Sequence, residues 1–302
     1  MKIVLGPASR GLGQKIGDTL GAPIVPVDFK RFPDGESYLR LTEEVEGEDV
    51  VIVQTTCPPQ DSNLVQLLLL ADAARDLGAK SVAAVIPYIA YGRQEQRFRS
   101  GEAVSANTVF KLLREVDISS LVTVDFHSPE LLESSGIRFA NVSAIPSLAK
   151  FLKERYKLDG AFSLAPDEGA KEFVKVTAKI MNGDYGWLEK TRDKVSGEVT
   201  FELKALNVRD RDAVVFDDII SSGSTMIHAV KSLKEMGAKR TFAACTHPLL
   251  IGDAKEQILA MGAQEIVGTD AIQSSMGLVS IAPVVADVLR KWYTLDSRDE
   301  KY

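Results

Sequence analysis

The sequence predicts an α/β protein made of two tandem domains, each a mainly parallel sheet flanked by helices. Short β-branched runs such as Val50-Val51-Ile52-Val53, Leu121-Val122-Thr123-Val124 and Val214-Val215-Phe216 alternate with amphipathic stretches along the chain, the pattern of strand-helix units that feed parallel sheets. Two such units repeat each other. Residues 50–53 lead through a Thr/Pro/Asp/Ser loop into a helix ending Leu77-Gly78-Ala79-Lys80 and a strand over 81–86; residues 214–216 lead through an Asp/Ser/Gly loop into a helix ending Met236-Gly237-Ala238-Lys239 and a strand over 241–245. Gly at the helix exit with Lys near the negative end of the dipole suits both ends. The length of 302 residues, with 45% hydrophobic and 26% charged residues, suits two ordinary globular domains and excludes disorder.

The chain opens on Met1-Lys2-Ile3-Val4-Leu5-Gly6, a first strand too quickly interrupted to be a signal peptide. No apolar run approaches the roughly 20 residues that span a bilayer, and residues 67–71 read as helix core, so no membrane association and a cytoplasmic location are expected. Gly11-Leu12-Gly13-Gln14-Lys15-Ile16-Gly17 misses the dinucleotide fingerprint by a residue, and its strand ends too early to feed it. There is no phosphate loop of the Gly-x-x-x-x-Gly-Lys-Ser/Thr kind. Cys57 and Cys245 lie far apart without metal-ligand spacing and are expected to be small core residues. A formal charge of -6 argues against broad nucleic-acid binding and leaves room for local basic clusters. The domain boundary falls near residues 141–144, between a strand over 137–141 and a helix over 146–154. It gives an N-terminal domain, 1–142, and a C-terminal domain, 143–302. The last helix, 282–292, carries Val284, Val285, Val288, Leu289 and Trp292 on one face and is expected to pack back on the first domain.

The strongest site signal is the strand 214–216 followed by Asp217-Asp218-Ile219-Ile220-Ser221-Ser222-Gly223-Ser224-Thr225 and a helix starting with Met226. Backbone amides at a helix start, with adjacent hydroxyls, cradle a phosphate dianion. The paired acids before them suit ribose hydroxyls or a Mg²⁺ ion with its water shell. Phe32-Pro33-Asp34-Gly35-Glu36-Ser37 is a turn that sets two carboxylates beside an aromatic ring, suited to an exocyclic amine and a stacked base, and equally to a plain β-turn. Tyr91-Gly92-Arg93-Gln94-Glu95-Gln96-Arg97-Phe98-Arg99 follows a strand and offers guanidinium forks to a polyphosphate, or serves as a charged or subunit-contact loop. Asp125 and His127 end the strand over 121–125, and strand periodicity puts them on one side as a metal or phosphate corner. Asp167, in Ala165-Pro166-Asp167, ends the strand over 161–164. Trp187-Leu188-Glu189-Lys190-Thr191-Arg192-Asp193-Lys194 reads as a basic hairpin able to close over a transferring phosphoryl group. His247 follows the strand 241–245 without an assigned role.

Strand, two acids, hydroxyl loop and helix resemble the phosphoribosyl diphosphate motif of the type I phosphoribosyltransferase fold. All six motifs in this order, over nearly the whole chain, resemble the ribose-phosphate pyrophosphokinase family. The resemblance implies two phosphoribosyltransferase-type domains. It also implies transfer of the β,γ-diphosphoryl group of Mg-ATP to the anomeric hydroxyl of ribose 5-phosphate, giving AMP and phosphoribosyl diphosphate. By that resemblance Phe32, Asp34, Gly35 and Glu36 read adenine in a site shared between subunits of a homodimer or larger homo-oligomer, and Arg93, Gln94 and Arg97 hold ATP. His127 and Asp167 organise Mg²⁺; Asp217, Asp218, Ser222, Gly223, Ser224, Thr225 and Met226 bind ribose 5-phosphate; Lys190 and Arg192 are catalytic, Arg192 also touching the sugar phosphate. Ser221 stands where many members have an acid, and Glu95-Gln96 and Ser128-Pro129-Glu130 also depart from the common pattern, which suggests an archaeal-type branch. The alternatives are a phosphoribosyltransferase that consumes the activated sugar and a non-catalytic nucleotide-binding regulatory relative. The first needs neither the turn at Phe32 nor the Lys190 hairpin, and the second would lack the hairpin cations.

Overall fold

The structure is a computed structural model that describes residues 1–192, 199–202 and 207–299. Its contacts divide into two units, Met1–Ser143 with Ala271–Gln273 and Ser280–Tyr302, and Ala144–Asp270 with Ser274–Val279. The first unit contains β1 (Lys2–Leu5), α1 (Arg10–Leu20), β2 (Ile24–Val25), β3 (Val27–Arg31), β4 (Ser37–Leu41), β5 (Asp49–Val53), α2 (Gln60–Asp76), β6 (Ser81–Val85), α3 (Ser105–Glu115), β7 (Ile118–Val124), α4 (Pro129–Ser134) and β8 (Arg138–Val142). The second holds α5 (Ile145–Tyr156), β9 (Phe162–Ala165), α6 (Lys171–Met181), β10 (Tyr185–Trp187), β11 (Glu189–Arg192), β12 (Val199–Glu202), β13 (Asp212–Ile220), α7 (Ser224–Glu235), β14 (Arg240–Pro248), α8 (Ala254–Met261), β15 (Ala263–Thr269) and β16 (Gly277–Val279). The last helix, α9 (Ala282–Asp299), belongs to the first unit and lies along α1.

Val50, Val51, Ile52 and Val53 are all fully buried, because a parallel strand covered on both faces has no solvent side to carry polar residues. They place β5 inside a sheet of order β2-β1-β5-β6-β7-β8, every pair parallel. Val214, Val215 and Phe216 do the same for β13 in the order β10-β9-β13-β14-β15-β16, again parallel throughout. The two orders match position by position, with β9, β13 and β14 standing where β1, β5 and β6 stand. Even the helix exits coincide. Gly78 and Gly237 both have φ +82°, and the Ala79 N–H donates to Ala74 O at 3.1 Å as the Ala238 N–H donates to Leu233 O at 3.0 Å. Two parallel sheets of the same strand order in tandem are therefore what the repeated sequence segments encode.

The glycines at 13 and 17 sit inside α1, where a Cβ would stand 2.6 Å from Leu5 Cδ2 and 2.2 Å from Ile24 Cδ1. They let the helix approach its sheet rather than cradle a nucleotide. Leu67, Leu70 and Ala71 are core as expected, but Leu69 faces outward at 43% exposure. Cys245 is buried, whereas Cys57 keeps part of its surface in the loop after β5, which corrects the expectation that both are core. Among the described residues no helix is long and apolar enough to cross a membrane.

Candidate active site

In the second unit the strand expected to stop at Phe216 runs on to Ile220. Its partner β14 is long and buried to Pro248, so the ladder continues, with Asp217 opposite Cys245, Ile219 opposite His247 and Ile220 opposite Pro248. The two acids consequently stand on the strand, and the loop begins at Ser221. Asp217 Oδ1 accepts the Asp218 N–H at 3.0 Å, and Asp218 Oδ1 accepts the Ile219 N–H at 2.8 Å. Burial pushes the Asp217 carboxyl well above the usual carboxylate range, and the charge of Asp218, a hydrogen bond with Asp218 and the charge of Asp167 push it further. Asp167 follows β9, the neighbour of β13, and its Oδ1 accepts the Gly169 N–H at 2.9 Å across the 3₁₀ turn 168–170. Surplus negative charge on an all-oxygen donor set is the environment that a hard dication or the donors of a diol would relieve. Burial also raises the Cys245 thiol well above its ordinary value, so it packs as an inert hydrophobe.

Beyond the acids, Gly223 caps α7 with φ +78°, and a Cβ there would lie 3.2 Å from both Ala254 Cβ and Ile258 Cδ1. The loop is pressed onto α8 and pinned below by the Leu250 N–H to Ile220 O and the Ile251 N–H to Ser221 O, at 2.9 and 3.0 Å. No side chain caps α7. Ser222 and Ser224 are exposed, their hydroxyls 3.5 Å apart, while Met226 is buried and anchors the first turn. Amides left without a side-chain cap at a helix start, with two exposed hydroxyls beside them, are suited to an anion immediately after the acid pair.

In the first unit, β3 and β4 form an antiparallel hairpin whose tip is the turn 32–36, closed by the Phe32 N–H to Glu36 O at 2.8 Å and the Gly35 N–H to Phe32 O at 2.9 Å. Asp34 Oδ1 accepts the Glu36 N–H at 3.1 Å, leaving the rest of both exposed carboxylates turned to solvent. Phe32 meets Tyr38 edge-on at 6.1 Å between centroids, and the Lys30 ammonium lies 5.0 Å from the Phe32 ring and 4.8 Å from the Tyr38 ring. Lys30 and Tyr38 were not singled out from the sequence; the strand period, which puts residues 30 and 32 on one face, was the available signal.

The Arg93 loop and the Asp125–His127 corner are brought together through Phe126 and Ser128. Gly92 lies against the Phe126 ring, and the Ser128 hydroxyl donates to Gly92 O at 3.4 Å. Arg93, Gln94 and Arg97 are exposed; Arg97 Nε donates to Glu102 O at 2.8 Å, which holds the outer part of the loop. Asp125 and His127 do not share a side. Asp125 has φ +40° and is buried while His127 is exposed, because a left-handed residue breaks the two-residue alternation at the end of β7. Lys190 and Arg192 lie on β11, opposite Phe201 and Val199 of β12; their side chains, and residues 193–194 of the expected hairpin, lie outside the described residues. Among the described residues no group of three or more His, Cys, Asp or Glu is arranged to hold a metal.

Residues 1–116 match the N-terminal domain of ribose phosphate pyrophosphokinase, and residues 203–294 match the phosphoribosyl synthetase-associated domain. The chain is 40% identical over 273 residues to the ribose-phosphate pyrophosphokinase of Saccharolobus solfataricus, covering 90% of this chain and 93% of that one. It is 41% identical to the protein of the same name from Methanopyrus kandleri, covering 92% and 94%. Among solved structures, phosphoribosylpyrophosphate synthetase from Mycobacterium smegmatis superposes with a TM-score of 0.85 at 26% identity, covering 97% of this chain and 98% of that one.

Proposed function

The chain belongs to the ribose-phosphate pyrophosphokinase family, and on that premise we propose that it transfers the β,γ-diphosphoryl group of Mg-ATP to ribose 5-phosphate. The observation that carries the reading is the acid pair of β13 running directly into the uncapped start of α7. The pair meets the two ring hydroxyls of a ribose, and the amides and hydroxyls of residues 222–226 take its 5-phosphate. The anomeric hydroxyl attacks the β-phosphorus, the bond from that phosphorus to the oxygen bridging the α-phosphate breaks, AMP leaves with that oxygen, and the hydroxyl proton passes to solvent.

Phe32, Asp34, Gly35 and Glu36 receive the adenine, in a site completed by a second copy in a homodimer or larger assembly, while Arg93, Gln94 and Arg97 hold the triphosphate. By the resemblance, Mg²⁺ would be held by Asp167 in the second unit and by His127, at the turn after β7, in the first; the carboxyl of Asp217, raised by burial and by the charges of Asp218 and Asp167, supports a dication beside the acid pair of the second unit. When bound, the ion neutralises charge on the phosphates as it grows. Lys190 and Arg192 stabilise the transferring group, since positioning and charge neutralisation carry most of phosphoryl catalysis. The chain's expected place of action is the cytoplasm.

The test is incubation with Mg²⁺, ATP labelled at the β-phosphorus and ribose 5-phosphate, with products separated by anion exchange. Label in phosphoribosyl diphosphate with an equal yield of AMP is expected; ADP, or no ribose-dependent turnover, overturns the proposal. Lys190→Ala should lower kcat by about 100-fold or more with KM for either substrate held within about threefold, the signature of a contact made in the transition state.

A further inference from the structure

Lys30 turns its charge to two rings rather than to any of the acids on its own hairpin. Asp28, Asp34 and Glu36 all lie on the same two strands and their turn, yet among the described residues Lys30 makes no ion pair and no hydrogen bond. Asp28 is taken by Arg40, with Nε at 3.0 Å from Oδ2, and Asp34 by the backbone of Glu36. Register explains the outcome. Lys30 is directly opposite Tyr38, and Phe32 projects from the same face two residues on. The ammonium is thereby set between the two rings, within the range at which a cation is held by a ring face.

We infer that Lys30 is a positioning residue for the purine, an inference that rests on Phe32 being the platform for the base. A phenylalanine 39% exposed at a hairpin tip has little packing to fix its ring. The Lys30 ammonium and the Tyr38 ring, which meets it edge to face, fix it from the strand side, which keeps the outward face open beside the Asp34 and Glu36 carboxylates. A base stacked on that face meets a ring already oriented, and the carboxylates meet its exocyclic amine without a search over ring rotamers. Preorganisation of this kind acts on nucleotide affinity and leaves the chemical step alone. The arrangement also discriminates. Two acceptors at the tip favour a purine that donates an amine there over one that presents a carbonyl oxygen, and a ring held in place enforces that registry.

The experiment compares Lys30→Met, which keeps the stem and removes the charge, with Lys30→Arg, which restores a cation, and Phe32→Ala, measuring kcat and both KM values in the intact protein. The inference expects Lys30→Met to raise KM for ATP about threefold to tenfold, with kcat and KM for ribose 5-phosphate held within about twofold and Lys30→Arg close to the parent. The ratio of kcat/KM for ATP to that for GTP should fall in Lys30→Met by a similar factor. If Phe32→Ala raises KM for ATP but Lys30→Met does not, or if Lys30→Arg behaves like Lys30→Met, the lysine has no positioning role and the platform stands. If Phe32→Ala also leaves KM for ATP unchanged, the platform fails and the inference with it.

Discussion

Asp217 is held against its own charge. Its carboxyl is raised by burial and by the charges of Asp218 and Asp167, and a carboxyl with a raised folded-state pKa favours folding only while protonated, so that stability is lost as the pH rises through the raised value. Asp217→Asn removes that loss. The variant should be more stable than the parent at pH 7 by about 1 kcal/mol. The gain should vanish below about pH 4, where the parent is protonated both folded and unfolded. Synthesis of phosphoribosyl diphosphate should fall by about 100-fold or more. Calorimetry at both pH values with the turnover assay checks this; a destabilised variant at pH 7 would mean that the acid serves the fold. The order of acid pair, hydroxyl loop and helix start was legible in sequence because two acids before such a loop have few structural uses. The loss of alternation at Asp125 was not legible, since aspartate, although commoner than most residues at a left-handed φ such as the +40° found there, ends ordinary strands as well.

At the scale of elements, Gly92 couples the Arg93 loop to the corner that follows β7. A Cβ at this position would lie 2.4 Å from Phe126 Cε2 and 2.8 Å from Cζ. Phe126 cannot simply yield: it is buried and meets Phe110 edge-on at 6.3 Å. Gly92→Ala therefore separates the loop from the His127 corner. We expect KM for ATP to rise about tenfold and kcat to fall, with a stability cost of about 1–3 kcal/mol from overpacking and with KM for ribose 5-phosphate nearly unchanged. Steady-state kinetics and thermal melting distinguish this from a plain folding defect, which would lower active protein without moving KM. The sequence showed both loops at the ends of strands but nothing of their contact, because the contact depends on how β6 and β7 are staggered. The length of β13 escaped for a related reason. A ladder extends as far as its partner does, and the partner's extent is not written in the strand itself.

The whole molecule repeats one topology twice, and the repeat was legible because each copy solves the same local problems with the same residues: an apolar central strand, and a Gly-Ala-Lys exit after the following helix. The return of the last helix to the first domain was legible too, from its apolar face, and it makes the first unit discontinuous. Its own residues 1–143 are completed by α9, which returns from the far end of the sequence to lie along α1, with Arg290 donating to Thr19 O at 3.3 Å. Ile281, Val285 and Leu289 are fully buried there. At about 1.5–3 kcal/mol for each such side chain, their removal costs roughly 5–9 kcal/mol, as much as the entire stability of many domains. A fragment of residues 1–143 should accordingly lack a cooperative thermal transition, while the same fragment joined by a flexible linker to residues 280–302 should regain one. Circular dichroism melts of the two fragments decide the matter: a cooperative transition in the shorter fragment would mean that α9 only decorates a sheet able to fold without it.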